Sequence, residues 1–230
     1  MTITTAKLIR AAGVAAVVGG LLYIGVQINH PHLDLALVST TEWKIRQTMK
    51  VLFTALSLAG ITGMYLRQVK QTGALGLIGY LVLAAGFLLM LSTEVMGVVV
   101  LPAIAGTSPG YVTDVLAVAV PGGHAIGDIG LMGPLTQVAG VGYLAGGLLF
   151  GIALFRARIL ARWAAALLAA GAVATLAIPL LPQVNFRLFA IPTGVALVGL
   201  GYSLWREQRA PAAEALTSAV GSVLDPAGAT

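Results

Sequence analysis

The sequence predicts an all-α, polytopic membrane bundle of about six transmembrane helices, with both ends of the chain on the cytoplasmic side. Three observations predict it. The 230 residues are 58% hydrophobic and only 9% charged, where a soluble domain carries roughly 25% charge. Apolar runs recur at the length that crosses hydrocarbon, about 20 residues. Lys and Arg gather at alternate ends of those runs. The runs are rich in Ala, Leu and Gly and lack the period-two alternation of a barrel strand, so the backbone pairs within each run as a helix.

The first run covers about 9–28, behind Lys7 and Arg10. Its small residues form no clear cleavage site, and it reads as a retained signal anchor. The second covers about 48–66, inside a longer helix of about 40–68. Ser39 and Glu42 have capping-box spacing, and Trp43 then falls where an interfacial anchor belongs. The third run covers about 74–93. The connection after it, about 94–132, has no Lys or Arg, yet stays apolar over 95–105 and 112–120, punctuated by Pro102, Pro109 and Pro121. It predicts either continuation of the third helix to about Ala105 or a re-entrant segment packed on the extracytoplasmic side. The last three runs cover about 133–155, 161–182 and 186–205. Residues 1–206 are thus expected to form one bundle, and the polar, Ala-rich stretch 207–230 a disordered cytoplasmic tail.

Orientation follows from the basic residues. With the first residue inside, Lys7, Arg10, Arg67, Lys70, Arg156, Arg158, Arg162, Arg206 and Arg209 lie inside, and Lys44, Arg46, Lys50 and Arg187 outside. Nine against four is the asymmetry the positive-inside rule describes. The net charge of +5 therefore belongs to loops; no basic cluster marks a nucleic-acid surface, and the lipid bilayer is the expected partner. The absence of cysteine excludes disulfides, thiolate metal sites and thiol catalysis. Small residues four apart (Ala12, Ala16 and Gly20; Gly142 and Gly146; Gly147 and Gly151) predict close helix contacts, within the bundle first and between copies in a homo-oligomer second. The pattern Ala12-Gly13-Val14 with Gly19-Gly20-Leu21-Leu22-Tyr23 recurs at the same spacing as Ala139-Gly140-Val141 with Gly146-Gly147-Leu148-Leu149-Phe150. As a true repeat it would make two inverted halves of three helices each.

Polar chemistry sorts to the outer side. His30, His32 and His124 lie there, with Asp34, Glu42, Glu94, Asp114 and Asp128. Glu94 is the first candidate, because apolar sequence flanks it on both sides. A carboxyl in such a place costs about 2.5–3.5 kcal/mol at mid-helix and faces a bundle interior or a wet cavity, where it can serve as proton donor or carrier. Asp128, Asp114 and His124 are its candidate catalytic companions; Trp43, Gln137 and Tyr111 are candidate ligand contacts. In His30-Pro31-His32 the extended backbone before proline allows two imidazoles on one side, the minimum of a metal site, while a pH-sensing pair is the plainer reading. There is no phosphate-binding loop, no HExxH and no GxSxG, and no cofactor is expected.

The stretch Phe155-Arg156-Ala157-Arg158-Ile159-Leu160-Ala161-Arg162-Trp163, with Gly146-Gly147-Leu148-Leu149 before it, resembles a widespread group of uncharacterised bacterial membrane proteins common in actinobacteria. The opening from Lys7 to Tyr23 and the segment Gly60-Ile61-Thr62-Gly63-Met64-Tyr65 are similar as well. The resemblance implies six helices in a bacterial plasma membrane and carries over no activity and no site residue. One departure is Ala161, where the group has proline. Three functions fit the sequence: binding of a small lipophilic molecule in an outward-opening pocket near Glu94; carboxylic-acid catalysis of a cyclase or isomerase type on a lipid-soluble substrate, by analogy with small helical membrane terpene cyclases; and proton-coupled transport by inverted halves.

Overall fold

The structure is a computed structural model that describes residues 3–175 and 186–207. It is all-helical, with no strand among the described residues. Among the described residues, five helices are long and apolar enough to cross a membrane: α1 (Thr5–Gln27), α3 (Thr41–Arg67), α4 (Val69–Ile104), α6 (Met132–Ala157) and the segment Arg187–Glu207, which holds α8 (Ala190–Glu207). Between them lie the short α2 (Leu35–Val38), α5 (Pro109–Val118) and α7 (Arg162–Thr175), and a 3-10 turn, Phe186–Phe189. The expected run 161–182 is described as far as Thr175; its remainder and the tail beyond Glu207 lie outside the described residues.

Local chemistry sets the helix ends. Thr4 caps α1 by accepting from the Lys7 N–H at 3.3 Å, and Asp34 caps α2 by accepting from Leu37 at 2.8 Å. At α3 the expected capping box is displaced by one residue. Thr40, not Ser39, is the cap, its hydroxyl accepting from the Trp43 N–H at 3.1 Å. Glu42 instead pairs with Arg46 at 2.9 Å, one turn on. Gly73, with φ 57° and ψ −152°, breaks α4 after its first turn, in a backbone region that is essentially glycine's alone. From there the helix runs past Glu94 to Ile104. Of the two readings of the third connection, continuation of the helix is the one found, followed by α5 lying over the bundle end.

Each long helix packs antiparallel on the next, and the small residues mark where. Ala16 and Ala12 of α1 meet Gly60 and Gly63 of α3. Gly142 and Gly146 of α6 meet Gly86 and Leu83 of α4, and Gly151 meets Ala165 and Ala169 of α7. Gly13 and Gly20 of α1 meet Gly201 and Gly194 of α8, which closes a ring in the order α1, α3, α4, α6, α7, α8. A Cβ on Gly86 would come within 2.6 Å of the Tyr143 nitrogen, so the α4–α6 spacing exists only without side chains there. Large apolar residues such as Leu21, Leu52, Leu81, Leu88, Val99 and Val141 point outward, exposed by 48–65%. Leaving such side chains in water forgoes roughly 1.5–3 kcal/mol each, and a lipid surround removes that cost.

This ring does not have the order of two inverted halves. A two-fold axis in the membrane plane reverses the sense of rotation seen from one side, whereas here the sequence turns one way through all six helices. The matched glycines show the same thing residue by residue. Gly19 packs on Ser57 of α3, but its counterpart Gly146 packs on Leu83 of α4. Gly20 packs on α8 and its counterpart Gly147 on Ala172 of α7. Equivalent residues face non-equivalent neighbours, so the likeness reflects two helices built from the same small residues.

The first and last described helix ends share one face: Arg10 of α1 lies over the Trp205 ring at 5.5 Å, and Arg67 of α3 pairs with Glu207 of α8. At the opposite face a second apolar cluster forms from Val38, Trp43, Leu101, Val112, Val115, Leu116, Ile129 and Met132. It places α2 and α5 as a cap over the bundle.

Candidate functional site

Under that cap lies a cavity of about 380 Å³, walled by the adjoining ends of α1, α3, α4, α5 and α6 and by the 3-10 turn. Its apolar side is Phe53, Met90, Leu101, Leu116, Met132 and Phe189. Aromatic rings run beneath it from helix to helix. Tyr23 stacks on Phe53 at 4.4 Å, Phe53 meets Phe87 edge-on at 6.3 Å, and Phe87 meets Tyr143 at 5.9 Å.

The polar side comes from two helix faces. On α3, Trp43, Gln47 and Lys50 share one stripe at the four- and three-residue spacing of a helix. On α4, Glu94 and Gly97 face them. The Gln47 amide donates to Glu94 Oε2 at 2.9 Å, Lys50 Nζ stands 3.9 Å from the same oxygen, and the Trp43 indole N–H donates to the Gly97 carbonyl at 2.8 Å. Gly97 leaves room for the Gln47 amide, since a Cβ there would overlap its nitrogen and displace the Gln47 side chain. Trp43 is therefore no interfacial anchor. It is 4% exposed, because burying its ring also satisfies its N–H. Tyr23, Gln27, Thr93, Thr136, Tyr143, Thr175 and Arg187 also contribute polar atoms to the lining.

The remaining polar residues at the cavity end do other work. Arg46 donates to the carbonyls of Val26 at 3.0 Å, Ile28 at 3.1 Å and Asn29 at 2.9 Å. It closes the end of α1, whose last carbonyls otherwise have no partner. Asp114, 8% exposed, accepts from the Ile126 N–H at 3.0 Å and the Gly127 N–H at 2.8 Å. These two bonds fasten the segment after α5 and hold the carboxyl below its ordinary value, against a smaller opposing effect of burial. Asp128 is exposed and accepts from Gly130 at 2.7 Å. His124 and Gln137 are exposed and Tyr111 packs at the edge of the capping cluster. None of these five lines the cavity. Comparison with protein-family models, with curated proteins and with solved structures gave no match. The site is therefore read from its own geometry.

Of the expected constellation, the structure brings Glu94 and Trp43 together and leaves Asp114, Asp128, His124, Tyr111 and Gln137 apart. Glu94 is the one acid among the described lining residues, so a pair of acids converging on a substrate is not formed. His30 and His32 join no third ligand; no group of three or more potential metal-binding side chains occurs among the described residues. His30 is half-buried, its Nδ1 2.8 Å from the Pro31 carbonyl and its Nε2 buried without a partner. Burial foremost, then the charges of Arg187, Lys50 and Arg46, outweigh the Pro31 bond and lower its pKa from 6.5 to about 4. Sequence reasoning missed Gln47, Lys50, Arg187, Tyr23 and Tyr143. For the first two a signal existed: they continue the stripe begun by Trp43 at helical spacing.

Proposed function

We propose that this chain is a six-span protein of a bacterial plasma membrane, with both ends in the cytoplasm, and that it binds a small lipophilic molecule in the outward-facing cavity beside Glu94. One observation carries the reading: the Glu94, Gln47 and Lys50 cluster converges on an apolar, aromatic-floored cavity. That combination of a largely apolar wall with a few fixed polar groups, at a volume within the roughly 300–1,000 Å³ range, is how small-molecule sites are built. The orientation is supported by the excess of Lys and Arg flanking the spans at the opposite face, nine against four in the sequence, which favours that face for the cytoplasmic side. The resemblance to actinobacterial membrane proteins supports the compartment.

The experiment is extraction of the protein purified in mild detergent, with mass spectrometry of what leaves it. A lipophile is expected in near-stoichiometric amount from the wild type and absent from Gly140→Leu. Gly140 lines the cavity, and a Cβ there meets nothing within 4 Å, so leucine fills the space without displacing backbone. Equal recovery of the compound from both proteins, or none from either, defeats the proposal.

A further inference from the structure

We infer that the turn between α6 and α7, at the face opposite the cavity, binds the phosphodiester head of an anionic glycerophospholipid through Arg156, Arg158 and Arg162. These three arginines stand within seven residues, and all are exposed. Other arginines of the bundle are spent inside the protein: Arg46 on Glu42 and three carbonyls, Arg67 on Glu207, Arg10 on the Trp205 ring. At the turn no such use is made of the charge. Among the described residues Glu207 is the one acid at this face, and it is paired with Arg67. Arg156 and Arg158 make no ion pair or hydrogen bond there, and the contact of Arg162 is with an aromatic ring.

The turn gathers these charges on a fixed backbone. Arg156 lies in the last turn of α6, Arg158 is its cap and Arg162 opens α7. The Arg162 guanidinium sits 4.2 Å from the centre of the Phe155 ring, so it reaches back across the turn to the end of α6 that carries the other two. Arg158 reverses the chain with φ 59° and ψ 21°, Leu160 is buried, and the Ala161 N–H donates to Ser203 of α8 at 3.0 Å. A rigid turn leaves less to be ordered when a ligand arrives. Two rings set the depth. Trp163 is 59% and Tyr202 55% exposed, and the Trp163 ring lies against Gly199 of α8, where a Cβ would come within 2.5 Å of it. Exposed Trp and Tyr on a membrane bundle sit at headgroup level, and Arg162 adjoins Trp163. Chemistry then selects the head. Guanidinium offers paired N–H donors that match phosphate oxygens. A phosphodiester with no other charge meets the uncompensated positive charge, whereas a zwitterionic head brings its own ammonium against it. Basic sites at span ends are where anionic headgroups dock.

The test is native mass spectrometry of the full chain in mild detergent, titrated with phosphatidylglycerol and with phosphatidylcholine of the same acyl chains. The wild type is expected to bind the first phosphatidylglycerol at least about tenfold tighter than phosphatidylcholine, since each basic residue at an anionic head is worth roughly fivefold. The double variant Arg158→Gln/Arg162→Gln should lose most of that preference while binding phosphatidylcholine as before. The double variant Lys44→Gln/Lys70→Gln, which removes the same charge from exposed residues elsewhere, should keep it. Arg158→Lys/Arg162→Lys should fall between, with charge retained and the paired donors gone. Equal affinities of the wild type for the two lipids overturn the site, and an equal loss in both Gln variants overturns its assignment to this turn. Should the arginine-to-glutamine protein fail to fold, the wild-type preference and its partial retention in the lysine variant still decide. Millimolar glycerol phosphate separates a lipid from a free phosphate ester: unchanged lipid retention is expected, and displacement of the lipid overturns the lipid assignment.

Discussion

At the scale of single residues, His30 shows how the field at the cavity end reads out. Three cations at the cavity end, Arg187, Lys50 and Arg46, act on it in addition to burial, and its pKa falls to about 4. A histidine depressed in the folded state contributes stability that is complete above its unfolded value of 6.5 and is lost as pH falls through the window towards 4. The thermal unfolding midpoint in detergent is therefore expected to drop across that window, and the drop should be smaller in His30→Gln. Identical pH profiles for the two proteins count against this account. The site itself was half legible in the sequence. Glu94 announces itself as an acid in an apolar run, and Trp43 as an aromatic near a helix start. The distant partners do not announce themselves: that Lys50 meets Glu94, and that Asp114 turns to the Ile126 and Gly127 amides instead of the cavity, depends on which face of each helix turns inward. Ala161 is a similar case. Its N–H donates to the Ser203 hydroxyl at 3.0 Å, a bond that a proline there, having no N–H, could not make.

At the scale of elements, the contacts between helices are set by glycine and alanine, and here the sequence was informative. Each small-residue row read from spacing lies at a helix contact: Ala12, Ala16 and Gly20 on α3 and α8, Gly142 and Gly146 on α4, Gly147 and Gly151 on α7. Spacing alone does not say which neighbour a row meets, and this is why the two matched segments suggested a symmetry that the ring lacks. The rows also give a sharp comparison within one helix. A methyl on Gly146 would overlap the backbone of Leu83, whereas a methyl on Gly140 meets nothing within 4 Å. Gly146→Ala is expected to destabilise by about 1–3 kcal/mol as α4 and α6 are forced apart. Gly140→Ala should be neutral or gain up to about 1 kcal/mol from helix propensity. Thermal unfolding of the two variants side by side measures the difference, and a Gly146→Ala protein as stable as the wild type would mean that the two helices do not pack here.

At the scale of the whole molecule, the closed ring fixes a relation between its faces. Six antiparallel helices return the chain to the side where it began, and the contacts of Arg10 with Trp205 and of Arg67 with Glu207 place both described ends together. The turn from α3 to α4, with Lys70 exposed, belongs to that face; Ser39 and the segment carrying Ile126, 99% exposed, belong to the other. Because the chain has no cysteine, single cysteines report each face without background. In intact bacterial cells a membrane-impermeant maleimide is expected to label Ser39→Cys and Ile126→Cys, and to label Lys70→Cys only after the membrane is opened. The reasoning is electrostatic: basic residues flanking spans are retained on the cytoplasmic side, and at the Lys70 face Arg67, Arg156, Arg158, Arg162 and Arg206 add to Lys7 and Arg10. Labelling in the reverse pattern keeps the fold but turns the cavity towards the cytoplasm, and the ligand must then be sought among molecules made inside the cell. Labelling of Lys70→Cys and Ile126→Cys from the same side breaks the ring, since α4 and α6 could not then both cross between the two faces they connect.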